Sequence, residues 1–151
     1  MDIREHYDKL FQYCYSRVSS RETAEDITQE TFLRFLEHPE YQGSAHEIQY
    51  LYTIARNLCV DAYRKKPPDE LPEDIPDTHG GESEWIDRLA LRSVLDRLPD
   101  EDREIIVLRY VSELSVADLA RIHGVTWFSM NRRIKSILAR MRKDFGKEGS
   151  V

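Results

Sequence analysis

A proline-rich, acidic segment in the middle of the chain divides the sequence into two parts. The run KKPPDELPEDIPDTHGGESEW contains four prolines, a pair of glycines and a cluster of acids. Prolines at this density interrupt helices and favour extended backbone, and the like charges repel one another. We therefore predict a linker at residues 67–84. It joins an N-terminal domain at residues 1–66 to a C-terminal domain at residues 85–151.

Both domains have the periodicity of helices. Apolar residues recur at three- and four-residue spacing, and no segment shows sustained strand alternation. Helices are predicted through RETAEDITQETFLRFLEH and YLYTIARNLCVDAYRKK in the first domain, with Ser19 and Glu22 at capping-box spacing before the first of them. In the second domain they are predicted through WIDRLALRSVLDRL, DREIIVLRYVS, VADLARIHG and a final basic segment. The predicted fold class is all-α, with two small helical domains.

Charge is distributed unevenly along the chain. The net charge is −6, yet residues 50–66 carry +3 and residues 121–151 carry +6. Two basic segments in an otherwise acidic protein indicate two separate sites for an acidic partner. Cys14 and Cys59 have no metal-ligand spacing, and no apolar run approaches a signal peptide or membrane span. We expect a cytoplasmic protein without membrane insertion.

The second basic segment has the features of a helix-turn-helix. Gly124 follows Ala120 by four residues, and the glycine allows the backbone to turn between two helices. The first helix buries Val116, Leu119 and Ala120, and the second buries Met130, Ile134, Ile137 and Leu138. The residues that then face outward to read base edges are Asn131, Arg132, Lys135 and Ser136. The residues that hold phosphates are Arg133, Arg140, Arg142 and Lys143. The alternative is a solvated basic helix without a partner.

The first basic segment and the loop before it interleave aromatic, polar and basic side chains. Aromatic faces can stack on unpaired bases, and amide or guanidinium groups can recognise the edges of an extruded base. The candidates for this role are Tyr41, His46, Tyr50, Tyr52, Arg56, Asn57 and Arg64. The alternative is an amphipathic helix whose tyrosines belong to the core.

An acidic, partly apolar stripe lies on the helix through AEDITQETFLRF. Asp26, Gln29, Glu30 and Leu33 are spaced at i, i+3, i+4 and i+7, so they share a face away from the core. Such a stripe suits a partner helix. A metal enzyme using Glu22, Asp26 and Glu30 is the alternative, but the chain has no Glu-x-x-His pair to complete a helical di-metal site. With no phosphate-loop or nucleophile motif either, we expect no enzymatic activity and no cofactor.

The order of these segments resembles the extracytoplasmic-function group of bacterial RNA polymerase sigma factors. AEDITQETFLRF followed by YLYTIARNLCVDAYRKK is similar to region 2 of that family, and LPDEDREIIVLRYVSELSVADLARIHGVT is similar to region 4. The resemblance implies a factor that binds core RNA polymerase and directs promoter recognition, DNA melting and transcription initiation. It also implies a possible anti-sigma protein partner, whose identity the sequence does not give.

Carried over by position, the resemblance assigns a role to each surface. The stripe of Asp26, Gln29, Glu30 and Leu33 would dock onto the clamp helices of the polymerase's largest subunit. The aromatic and basic residues from Tyr41 to Arg64 would bind the minus-ten element of promoter DNA. The minus-thirty-five element would be read by Trp127, Asn131, Arg132, Arg133, Lys135, Ser136 and Arg140.

The sequence departs from the family pattern in two places, one in each domain. Trp127 and Phe128 are unusually bulky for the start of a recognition helix, and Tyr50 replaces a tryptophan at the start of the melting helix. The bulky pair could contact thymine methyl groups, alter the entry of the helix into the groove, or bind a regulatory protein. A stand-alone helix-turn-helix regulator remains the second functional hypothesis.

Overall fold

The computed structural model describes residues 3–18, 20–65 and 93–148. All regular structure in these ranges is helical, so the predicted all-α fold class is confirmed for them. The predicted linker at residues 67–84 and most of the helix predicted through WIDRLALRSVLDRL lie outside the described residues.

Three long helices form the N-terminal part. Helix α1 spans Ile3–Arg17, α2 spans Arg21–Leu36 and α3 spans Glu47–Lys65, with a short 3-10 helix at Pro39–Tyr41 between α2 and α3. The N-cap of α2 is Ser20, one residue after the serine that the sequence pattern predicted. Its backbone is extended and its side chain accepts a hydrogen bond from the Thr23 amide at 3.3 Å.

The core of this part is apolar, with two exceptions on α2. Thr28 and Thr31 are fully buried, and their hydroxyls donate to the carbonyls of Ala24 and Ile27 at 2.7 Å. These bonds satisfy the hydroxyls within their own helix, so burying them leaves no unpaired donor. The apolar core around them is formed by Leu10, Cys14, Phe32, Phe35, Leu51, Ala55 and Cys59.

The C-terminal part contains a helix-turn-helix. After a helical turn at residues 93–96, α4 spans Asp100–Ile106 and continues as a π-helical turn at Val107–Val111. Helix α5 spans Val116–His123 and α6 spans Trp127–Glu148. Ser115 caps α5 by accepting from the Asp118 amide at 3.0 Å, and Gly124 ends it with a left-handed backbone (φ 67°).

The two parts pack against each other and share one hydrophobic core. Helices α1 and α3 contact the π-helical turn and α5, and the same cluster of buried side chains extends from Leu10 to Ile137. At its edge, the Lys9 ammonium lies 2.8 Å from the Glu113 carboxylate, and this hydrogen bond lowers the pKa of Glu113. Within the described ranges, no helix has the length and apolar character that a membrane span requires.

The left-handed glycine between α5 and α6 gives a stability prediction. A Cβ at Gly124 would meet no atom within 4 Å, so Gly124→Ala introduces backbone strain without a clash. We expect it to lower the free energy of unfolding by about 1 kcal/mol. Gly124→Asn should cost less, because asparagine tolerates this conformation. Urea unfolding followed by circular dichroism measures both, and equal stability of the alanine variant and the wild type would contradict the argument.

Candidate functional site

The acidic stripe of α2 faces solvent. Asp26, Gln29 and Leu33 are exposed, and 58% of Leu33 is accessible. Glu30 accepts a hydrogen bond from the Arg34 guanidinium at 2.8 Å, which holds its carboxylate along the helix surface. The opposite face of α2 is buried against α1 and α3. The structure therefore brings the four predicted residues together on one open face.

A pair of stacked tyrosines lies at the start of α3. The rings of Tyr41 and Tyr50 are 4.1 Å apart between centroids and 21° from parallel, and the His38 ring lies 5.0 Å from Tyr41. Both tyrosines are half-buried, so each ring retains accessible surface. The stack places a flat aromatic surface beside the loop that precedes α3.

Local hydrogen bonds define the shape of that loop. The Gly43 amide donates to the Glu47 carboxylate at 2.9 Å, and Gly43 takes a positive φ of 75°. The Ser44 hydroxyl donates to the Tyr41 carbonyl at 2.9 Å and accepts from the His46 amide at 3.3 Å. His46 Nδ1 is buried and has no hydrogen-bond partner among the described residues.

Two of the residues predicted on α3 do not face solvent. Tyr52 is 1% exposed and its ring packs edge-on against Tyr13 at 5.7 Å, so it belongs to the core rather than to a base-binding surface. Burial raises the pKa of Tyr52 to about 12. Arg56 donates through Nε to the Glu104 carboxylate at 3.0 Å. Asn57 is exposed as predicted, and the Arg64 side chain lies outside the described part of the structure.

Glu104 is the buried charge at the contact between the two parts. Only 2% of the residue is exposed, and its carboxylate accepts from the Tyr13 hydroxyl and from Arg56, both at 3.0 Å. The Arg17 guanidinium lies 3.3 Å away and His123 Nε2 lies 3.5 Å away. Removing one partner from a buried ion pair costs about 3–5 kcal/mol, because the remaining charge is left without compensation. Glu104 therefore links its own helix α4 to α1 and α3 through one carboxylate.

The surrounding groups keep the protonation states that this contact needs. Burial and the nearby Glu104 charge both raise the pKa of Tyr13, so its hydroxyl stays a donor. Desolvation lowers the pKa of Arg56, but the Glu104 carboxylate more than offsets it, and the pKa is raised overall. Glu104 was not among the residues predicted from the sequence. The available signal was an acid placed directly before the apolar run IIVL.

The outer face of α6 carries the predicted base-reading residues. Arg132, Lys135 and Ser136 are exposed, and Asn131 is half-buried. Trp127 and Phe128 precede them at the N-terminus of the helix, with their rings edge-on at 5.3 Å. The inner face packs Met130, Ile134 and Ile137 into the core. This arrangement leaves the reading face and the helix start open together.

Arg133 and Arg140 differ from their predicted role because both are paired within the protein. The buried Asp102 carboxylate accepts from Arg133 at 3.1 Å and from Arg140 at 3.4 Å. Arg133 also donates to Glu101 at 3.1 Å. Desolvation lowers the pKa of Arg133, whereas the hydrogen bonds to Glu101 and Asp102 raise it and prevail. In this arrangement the two arginines attach α6 to α4 while both side chains stay partly exposed.

No metal site is formed by the described residues: within the ranges that the structure covers, no three His, Cys, Asp or Glu side chains are grouped to hold an ion. Glu22 and Asp26 are exposed on α2, where Glu30 pairs with Arg34.

Comparison with known families matches both parts of the chain. The Sigma-70 region 2 profile matches residues 3–67, and the Sigma-70 region 4 profile matches residues 88–141. The ECF RNA polymerase sigma factor SigW of Bacillus subtilis is 30% identical over 161 aligned positions, which cover 94% of this chain and 86% of SigW. BldN of Streptomyces coelicolor, also an ECF sigma factor, is 33% identical over 80% of this chain and 50% of its own length.

A solved structure shares the fold over nearly the whole chain. It is the sigma factor RpoE of Bartonella quintana, crystallised with the anti-sigma factor NepR. The TM-score is 0.70 at 22% identity, and the match covers 95% of this chain and 94% of that one.

The environment of His123 predicts a pH-dependent stability. Burial lowers its pKa, as do Arg56 and Arg133, and the Glu104 and Glu101 charges oppose them without reversing the shift. The unfolded chain then binds a proton below pH about 6.5, whereas folded His123 binds one only at a lower pH. We expect the free energy of unfolding to be highest above that pH and to fall as the pH drops toward about 5.5.

Replacing His123 isolates its contribution. In His123→Gln the decline between pH 7.5 and 5.5 should become shallower, whereas His38→Gln, which changes an exposed histidine, should retain the wild-type slope. Urea unfolding at each pH gives the slopes. The same slope in all three proteins would show that His123 does not carry the effect.

Proposed function

The chain belongs to the extracytoplasmic-function group of RNA polymerase sigma factors, and from that membership we propose which of its surfaces carry out promoter recognition. Sigma factors are transcription initiation factors: they bind core RNA polymerase and direct it to promoters. The proposed division assigns residues 1–66 to a region 2 domain, residues 67–84 to a linker and residues 85–151 to a region 4 domain. The region 2 and region 4 profile matches support this division.

The α2 stripe is the proposed docking surface for core polymerase. Asp26, Gln29 and Glu30 offer acidic and amide groups, and exposed Leu33 adds an apolar contact at the end of the stripe. An exposed face of this composition suits the clamp helices of the largest polymerase subunit, because a partner helix can bury the leucine while basic groups pair with the carboxylates. The single observation that supports this role is the joint exposure of the four side chains on one helix face.

The loop and the start of α3 form the proposed minus-ten surface. The stacked Tyr41 and Tyr50 provide an aromatic face, and stacking on such a face contributes about 1–3 kcal/mol per base. His46 supplies a buried nitrogen without a partner, and Asn57 supplies an exposed amide. Arg56 and Arg64 complete the proposed set on α3. Tyr52 is left out of it because its ring lies in the core.

Helix α6 is the proposed reader of the minus-thirty-five element. In helix-turn-helix proteins the second helix enters the major groove with its N-terminal residues against the base edges. Arg132, Lys135 and Ser136 are exposed for this purpose, with Asn131 and Trp127 beside them. Arg133 and Arg140 can contribute to phosphate binding once their guanidinium groups leave the Asp102 carboxylate and pair with DNA phosphates.

The proposed mechanism relies on binding alone. Region 2 holds the polymerase and captures unpaired bases, region 4 holds the upstream duplex, and no bond is made or broken by this chain. We propose that it acts in the cytoplasm, with RNA polymerase. An anti-sigma protein is a proposed further partner, because the similar sigma factor RpoE was crystallised with the anti-sigma factor NepR.

Because the two domains pack against each other, this mechanism starts from a closed state, in which the region 4 side covers part of the proposed minus-ten surface. Arg56 belongs to the proposed minus-ten surface, yet it pairs with Glu104 on the region 4 side. Helix α3 also packs against α5. Promoter binding through Arg56 therefore requires the domains to separate, and the energy for separation comes from contacts with polymerase and DNA.

Transcription in vitro tests the docking stripe. With core polymerase and promoter fragments, Asp26→Ala/Gln29→Ala should reduce specific initiation about tenfold or more at limiting protein, because two polar interface contacts of about 1 kcal/mol each are lost. Asp8→Ala removes an exposed carboxylate from α1, outside the stripe, and should leave initiation unchanged. Full activity of the double variant would contradict this assignment. Promoter binding by the chain without polymerase would instead favour a stand-alone regulator.

Small-angle X-ray scattering tests the closed state. Glu104→Gln leaves Arg17 and Arg56 without their buried charge partner, so the domains should separate and the radius of gyration should rise by several ångströms above about 15 Å, the value expected for a compact chain of this length. Glu101→Gln, which changes an exposed carboxylate on α4, serves as the control. Circular dichroism must show retained helix content. An unchanged radius in folded Glu104→Gln would overturn the role of this contact.

A further inference from the structure

Two aromatic side chains lie exposed at the start of α6. Phe128 is 73% exposed and Trp127 is 46% exposed, and their rings meet edge-on at 5.3 Å with an angle of 83°. The helix begins at this point, since the Thr126 hydroxyl accepts from the Ser129 amide at 3.1 Å. The capped first turn fixes the backbone from which both rings project. Burial of Phe128 is not needed for the fold.

Phe128 belongs to the same helical face as the residues proposed to read DNA. Arg132 follows it by four residues and Lys135 by seven, so the three side chains form one exposed stripe. Asn131 lies at the edge of this stripe, three residues after Phe128. The phenylalanine occupies the N-terminal end, which in a helix-turn-helix reaches furthest into the major groove.

The charge around Phe128 identifies the occupant of this face as DNA. No acidic residue occurs between Val125 and Lys143, and the segment from residue 121 onward carries a net charge of +6. On the described part of this helix the exposed surface is basic and its large apolar side chains lie at the helix start, which matches a major groove, where phosphates flank the bases. Within that groove the apolar group is the 5-methyl of thymine, and phenylalanine is one of the side chains that contact it.

We infer that Phe128 is a specificity-determining residue that recognises the 5-methyl group of a thymine in the minus-thirty-five element. Trp127 is a positioning residue, which restricts the Phe128 ring through the edge-on contact. The inference rests on the proposed function, because it requires α6 to lie in the groove. It assigns to this sigma factor a preference for thymine at the position facing the start of the recognition helix.

Replacing thymine by deoxyuridine tests the contact directly, because only the methyl group is removed. Holoenzyme reconstituted from core polymerase and the wild-type chain first selects upstream elements from promoter fragments in which the minus-thirty-five region is randomised. Each thymine of the selected element is then changed singly to deoxyuridine. We expect affinity to fall about fourfold at one or two adjacent positions, the factor that corresponds to burial of one methylene-sized group.

Variants of the chain assign that loss to Phe128. Phe128→Ser should bind the thymine and deoxyuridine elements equally, Phe128→Leu should retain most of the difference, and Trp127→Ala should retain part of it. Lys135→Ala should weaken binding to both elements by the same factor, because Lys135 lies seven residues after Phe128 and does not reach the same thymine. Because Phe128 is exposed, its substitution leaves the fold intact.

The outcomes separate this inference from the proposed function. Two outcomes would overturn the role of Phe128 and leave α6 as the reader of duplex DNA. In the first, an upstream element is selected but deoxyuridine does not lower the affinity at any position. In the second, deoxyuridine lowers the affinity of Phe128→Ser as much as that of the wild type. If no upstream element is selected, and Lys135→Ala and Phe128→Ser both initiate like the wild type, the proposed function of α6 fails as well. The inference would also be overturned if Phe128→Ser lost binding to a protein partner but kept its binding to DNA.

Discussion

A buried carboxylate determines how the two halves of this chain meet. Glu104 lies almost completely out of solvent, and a charge in such a place must be paired and hydrogen-bonded to be tolerated. Its partners come from α1 and α3 of the N-terminal half, whereas Glu104 itself lies on α4 of the C-terminal half. The apolar core around it is continuous between the halves. One side chain therefore makes the packing of the domains conditional on a specific electrostatic contact.

This constraint separates the basic residues into two groups. Arg56, Arg133 and Arg140 are paired with the carboxylates of Glu104 and Asp102, whereas Arg132 and Lys135 extend into solvent on the outer face of α6. The exposed group is available to a DNA phosphate or base at once. The paired group must first give up an internal partner. An acidic protein can thus carry DNA-binding helices while its free form presents only part of their positive charge.

The functional surfaces agree with this arrangement to different degrees. The stripe proposed to bind polymerase and the outer face of α6 are exposed, and the tyrosine stack retains accessible ring surface. The middle of α3 is covered by α5, so the proposed minus-ten surface is the one most affected by domain contact. In the proposed mechanism, recognition of the minus-ten element is therefore linked to the free energy of domain separation.

Local patterns in the sequence determined the helices, the glycine turn between α5 and α6 and the exposed stripe of α2. These follow from periodicity, capping and backbone conformation, which depend on neighbours within a few residues. Tertiary structure alone decided that Tyr52 packs in the core, that Arg56 and Arg133 face carboxylates, and that Glu104 is buried between the halves. Periodicity assigns a side chain to a face of its helix, but what covers that face depends on elements distant in the chain. The pairing of a charge likewise depends on partners 31 to 91 positions away, as for Arg133 with Asp102 and Tyr13 with Glu104, and no local pattern records them.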